Sequence, residues 1–99
     1  MKIPDKLKIG GHVVDVRVVA SREMPTKLGQ SMGQLNFIRV WDGMPESQIA
    51  STLLHEIIEH FDALYELKLE HPKISTLTEA LFQVLRDNDL DFRNKGAGI

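Results

Sequence analysis

The sequence has no cysteine, four prolines and few aromatic side chains: one tryptophan, one tyrosine and four phenylalanines in 99 residues. Without cysteine there is no disulfide and no thiolate metal site, so any metal ligands are drawn from His, Asp and Glu. No apolar run approaches the roughly 20 residues that cross a bilayer, so no membrane partner is expected. The opening MKIPDKLKIGG lacks a long apolar stretch. No secretory signal is expected from it, and the expected location is cytoplasmic. Neither sign of charge dominates: the formal net charge is −2, which argues against broad binding to nucleic acid or to anionic membrane.

What remains is an ordinary globular composition, 42% hydrophobic and 26% charged. The length points to a single domain spanning residues 1–99, with a modest core and limited stability. Residues from about 7 to 42 read as strands and residues from about 45 to 93 as helices. Val14, Val16 and Val18 alternate with Asp15 and Arg17 behind a Gly10–Gly11 turn, the period-two pattern of a half-buried strand. Gln34 to Trp41 repeats that pattern less cleanly. Between them, Ser21 to Gly33 reads as a loop, with room for a short strand. Strands first and helices later predict an α+β fold, an antiparallel sheet of three or four short strands packed on two long helices.

Pro45-Glu46-Ser47 marks a helix start. The helix runs through Ile49, Leu53, Leu54, Ile57, Ile58, Phe61, Leu64 and Tyr65, and His71-Pro72 is its expected end. A second helix carries the stripe Ile74, Leu77, Leu81, Val84 and Leu85, with Asn88 and Asp89 as terminators. The tail, residues 94–99, is expected to be disordered.

The chemistry-bearing segment is Leu53-Leu54-His55-Glu56-Ile57-Ile58-Glu59-His60-Phe61-Asp62. Residues four apart lie one turn apart on the same helix face, so His55 and Glu59 are able to share one ion. The spacing is that of His-Glu-x-x-His, in which the Glu acts as general base. Here Glu56 takes the base position and Glu59, a carboxylate that zinc accepts, replaces the second His. His60 lies about 140° around the helix from His55 and does not join that pair; it is one turn from Glu56. A catalytic zinc needs a third ligand from elsewhere. His71, past the helix end, is preferred, and Glu79 on the next helix is the alternative. Asp62 is placed to orient a ligand.

The stretch TLLHEIIEHFDALYELKLEHPKISTLTEALFQVLRDN resembles a family of small phage and bacterial zinc-metallopeptidase-like proteins. That family resembles a stripped-down zincin: a short sheet, an active-site helix and a backing helix. The resemblance covers about half the chain. It implies a zincin-like fold, one zinc ion held by His55, Glu59 and His71, and Glu56 as the catalytic residue.

Taken alone, the first helix has a plainer explanation. A wheel centres the apolar side on Leu53, Ile57 and Phe61 and puts His55, Glu59, Asp62 and Glu66 nearly opposite, as on any solvated helix face. Trp41 reads as a core or edge anchor. Lys6, Lys8, Arg17 and Lys27 are scattered and lack interleaved aromatics, so no nucleic-acid partner is expected. Three functions are compatible with these residues. One is a zinc-dependent hydrolase acting on a peptide or protein, held as an extended strand against Gln34 to Val40. Another is a catalytically inactive relative kept as a binding or regulatory module. The third is a small phage-encoded interaction protein that docks through its helices and binds no metal.

Overall fold

The structure is a computed structural model that describes residues 3–20 and 27–90. The expected tail at residues 94–99, the end of the helical half at residue 93 and the loop residues 21–26 lie outside the described residues. Four strands precede two helices: β1 (Lys6–Ile9), β2 (His12–Val19), β3 (Gly29–Met32), β4 (Phe37–Trp41), α1 (Glu46–Tyr65) and α2 (His71–Asp87). The fold is α+β, as the sequence predicts.

Gly10 and Gly11 have φ of 58° and 82°. Two consecutive left-handed residues make the tight turn that matches strand twist, and glycine adopts them without a Cβ clash. β1 and β2 therefore pair antiparallel, with Ile9 opposite His12.

The sheet is mixed, which corrects the antiparallel expectation. Its order is β1-β2-β4-β3. β4 runs parallel to β2, Val16 opposite Ile38, and antiparallel to β3, Ser31 opposite Ile38. The reason is topological. After β2 the chain passes the place β4 will fill, forms β3 at the edge, and returns through a 3-10 turn at Gly33–Leu35 and the left-handed Asn36. A strand that returns from the edge in this way must lie parallel to β2. Two consequences correct the sequence reading. The Gln34–Val40 segment is not an edge: its strand portion is the interior β4. Among the described residues the edge strand on that side is β3, the short strand for which the loop reading left room.

One side of the sheet carries the core. Val14, Val16, Ile38 and Val40 cluster with Ile9, Met44 and Leu53, and Ile49 and Ile57 pack against them. α1 crosses this side over β3 and β4, and α2 packs against α1. Among the described residues no helix is long and apolar enough to cross a membrane.

α1 ends at Tyr65, earlier than expected. Glu66 adopts a left-handed conformation, with φ of 52°, and its N–H bonds back to the Asp62 carbonyl. Pro72 does not terminate α1. It lies in the first turn of α2, where its missing N–H costs nothing.

Candidate metal centre

α1 is buried along two sectors, one against the sheet and one toward α2. Its buried residues are Ala50, Leu53, Glu56, Ile58 and His60. This differs from the wheel of apolar residues: Phe61 is 37% exposed, whereas Glu56 and His60 lie inside. Glu56 is about 60° from Leu53 on the wheel and His60 about 20°, so both belong to the sheet-facing sector. That sector meets β3, whose inward residues are small. Gly29 lies over Glu56, and Ser31 Oγ lies 3.2 Å from His60 Nδ1 in a shared hydrogen bond.

Gly29 is the point of closest approach. A Cβ there would stand 2.8 Å from Glu56 Oε2 and 2.9 Å from Thr52 Cγ2. Gly29→Ala is therefore expected to lower stability by about 1–3 kcal/mol, since Glu56 and Thr52 must shift to admit the methyl group. Urea unfolding of the two proteins measures it; coincident midpoints would mean that β3 does not press on α1.

Between β3, α1 and α2 lies a cleft of about 1010 Å3, lined by β3, by α1 from Ser47 to Glu59, and by α2 from His71 to Arg86. His55 and Glu59 are on the α1 wall. His71, the first residue of α2 and not a turn residue, enters from the far wall. One ligand atom from each of the three lies within 4.8 Å of the others. Glu59 Oε1 is 3.3 Å from His55 Nε2 and 3.7 Å from His71 Nε2. The two imidazole rings stand 5.0 Å apart between centroids. Donors at 2.0–2.1 Å from a tetrahedral zinc ion would be about 3.3 Å apart, so two edges of the triangle are near the size such an ion requires. His71 is the most exposed of the three, at 69% of its side chain.

Glu79 lines the same cleft but is not one of the three clustered residues. Asp62 does not orient a ligand directly. Its Oδ1 accepts the Leu69 N–H at 2.8 Å, and its carbonyl accepts the Leu67 N–H at 3.1 Å. It thus fastens the connection that delivers His71. His60 bonds Ser31 and not Glu56, the partner that helical spacing offered it.

Glu56 is 4% exposed, and its Oε1 is buried without a hydrogen-bond partner among the described residues. Burial, reinforced by the neighbouring Glu59 carboxylate and opposed by Lys27, pushes its carboxyl up to about 9. Burial also lowers the His60 pKa, with repulsion from His12 as the smaller cause. Sequence reasoning missed that Glu56 and His60 are interior. The available signal was Gly29-x-Ser31-x-Gly33, small residues at period two that let a strand lie close upon a helix. Comparison with family models, with curated proteins and with solved structures found no match for the chain.

Proposed function

We propose that this chain is a zinc-dependent hydrolase of the metallopeptidase-like, zincin-like kind. One observation carries the proposal. His55, Glu59 and His71 converge at the wall of an open cleft, next to the buried carboxyl of Glu56, which lies against Glu59 and whose Oε1 has no hydrogen-bond partner among the described residues. Two imidazoles and one carboxylate are a donor set that catalytic zinc sites use, with a fourth position left for water. When bound, zinc supplies a Lewis acid for the scissile carbonyl and brings the pKa of its water toward about 7.

The chain's own residues do the rest. Glu56 would serve as the general base: its Oε1 has no hydrogen-bond partner among the described residues that would compete for a proton. Such a base must be ionised, and in the metal-free chain burial keeps Glu56 protonated. A dication held by His55, Glu59 and His71 would favour the ionised form of Glu56. The Gly29–Met32 edge borders the cleft. An extended peptide is able to pair with it through main-chain hydrogen bonds, and this edge takes the substrate-binding role that the sequence reading gave to Gln34–Val40.

The test is elemental analysis of protein made without an affinity tag, followed by thermal unfolding with and without chelator. Close to one zinc per chain is expected. Chelation should lower the melting temperature, because a ligand of the native state alone stabilises that state. Protein that stays metal-free in excess zinc would refute the proposal. Zinc bound at one per chain without hydrolysis of any peptide in a mixed library would identify the inactive binding module instead.

A further inference from the structure

The side of the sheet away from α1 is built differently from the rest of the surface. Strand alternation puts Lys6 and Lys8 of β1, Asp15 and Arg17 of β2, and Phe37 and Arg39 of β4 on it. Among the described residues neither helix packs over this side. Four cations stand against the single carboxylate of Asp15, a surplus of three on a chain whose total is −2. Lys6 pairs with Asp15 at 3.4 Å, which leaves Lys8, Arg17 and Arg39 without a carboxylate partner among the described residues.

The parallel register sets Arg17 directly opposite Arg39. Like charges facing each other across strands are destabilising, and the only polar side-chain partner of either among the described residues is Gln30, which accepts a hydrogen bond from Arg39. Arg39 Nε is buried and has no hydrogen-bond partner among the described residues. Both arginines approach one ring: the Arg17 guanidinium is 4.8 Å from the Phe37 centroid and that of Arg39 is 5.9 Å away. Uncompensated guanidiniums around an aromatic ring, on an open sheet face, are complementary to a ligand that is both polyanionic and planar in its parts. Single-stranded nucleic acid has both properties. An acidic peptide or a lipid headgroup supplies the charge but no rings to stack.

We infer that this face binds single-stranded nucleic acid, with backbone phosphates on Arg17, Arg39, Lys6 and Lys8 and a base stacked at Phe37. The inference is independent of the metal centre, which lies on the other side of the sheet. It also revises the expectation of no nucleic-acid partner. That expectation rested on cations scattered along the sequence without aromatics; the sheet register brings them round Phe37.

The experiment is fluorescence anisotropy with a labelled oligothymidylate of about twelve nucleotides, at about 50 and about 200 mM salt. Three to four phosphate contacts should weaken binding about 20- to 50-fold over that salt range. Arg17→Gln should flatten the salt dependence, and Phe37→Ala should weaken binding at least about fivefold. Phe37→Leu, which keeps apolar cover over the sheet, should also weaken it, and circular dichroism confirms that each variant is folded. No binding at the lower salt would overturn the inference. So would equal affinity for polyglutamate, for phosphatidylserine vesicles or for the blunt duplex of the same length. So would full affinity in folded Phe37→Leu and Arg17→Gln.

Discussion

Glu56→Gln is expected to keep close to one zinc per chain and to lose hydrolysis by about a hundredfold or more, the usual cost of removing a general base. His55→Ala, Glu59→Ala and His71→Ala should each lose the ion itself. The split follows from where the side chains point. His55, Glu59 and His71 each bring a donor atom to one cluster, whereas Glu56 is not one of the three, packs under Gly29 and keeps an Oε1 that has no partner among the described residues. The amide of Gln is close in shape to the carboxyl, so the variant changes proton transfer with little change in packing. His60→Ala is the instructive control. It should retain zinc, but at a cost in stability of about 2 kcal/mol or more, because it opens a cavity and strands the Ser31 hydroxyl. Zinc content of the purified variants, measured beside wild type, decides the matter. If His60→Ala loses zinc and Glu59→Ala keeps it, the ligands are Glu56 and His60 and the assignment is wrong.

Metal-free protein should lose stability as the pH rises from about 6.5 to about 9. In the unfolded chain Glu56 ionises around its ordinary value of 4.5, while in the folded chain burial holds the proton up to about 9. Over that interval the folded state binds the extra proton, so raising the pH favours unfolding. His60 acts with the opposite sign. Its folded pKa lies below the ordinary 6.5, so it stabilises the neutral fold above that value and withdraws the contribution as the pH falls through it. The two effects oppose each other below 6.5, which leaves the alkaline interval as the clean one. Urea midpoints in the presence of chelator should fall across it for wild type and stay nearly level for Glu56→Gln. At pH 8 the metal-free variant should be the more stable of the two. Equal slopes for the two proteins would mean that Glu56 is not the group responsible.

The candidate centre was legible because its logic is helical. His55 and Glu59 sit one turn apart whatever the rest of the chain does, and a short connection must bring the next helix back alongside, with His71 at its head. The two-layer α+β class was legible for a similar reason, since the valine alternation and the two amphipathic stripes are local signals. Long-range pairing was not. β3 consists of Gly29, Gln30, Ser31 and Met32, with neither β-branched residues nor apolar alternation, so nothing in its composition announces a strand. With β3 allowed only as a short strand somewhere in a loop, β4 looked like an edge, the sheet looked antiparallel, and Glu56 and His60 looked like polar residues beside an apolar stripe. The Arg17–Phe37–Arg39 arrangement was hidden likewise, because twenty residues separate Arg17 from Phe37 and only the parallel register brings them together.

The proposed base and all three proposed ligands fall between residues 55 and 71, a contiguous stretch that is a small part of the chain. β3 and the sheet behind it supply cover and a rim, but no donor atom to the cluster. The chemistry is thus written as a cassette, and its grammar is helical phase. Within α1 each added residue rotates the rest of the helix by about 100°, so an insertion between His55 and Glu59 would scramble the site. The residues from Glu66 to Glu70 set the phase of α2 relative to α1, anchored by Asp62 and by left-handed Glu66 and Lys68. Drift in the strands leaves the cassette readable, whereas a one-residue change of length in that connection does not.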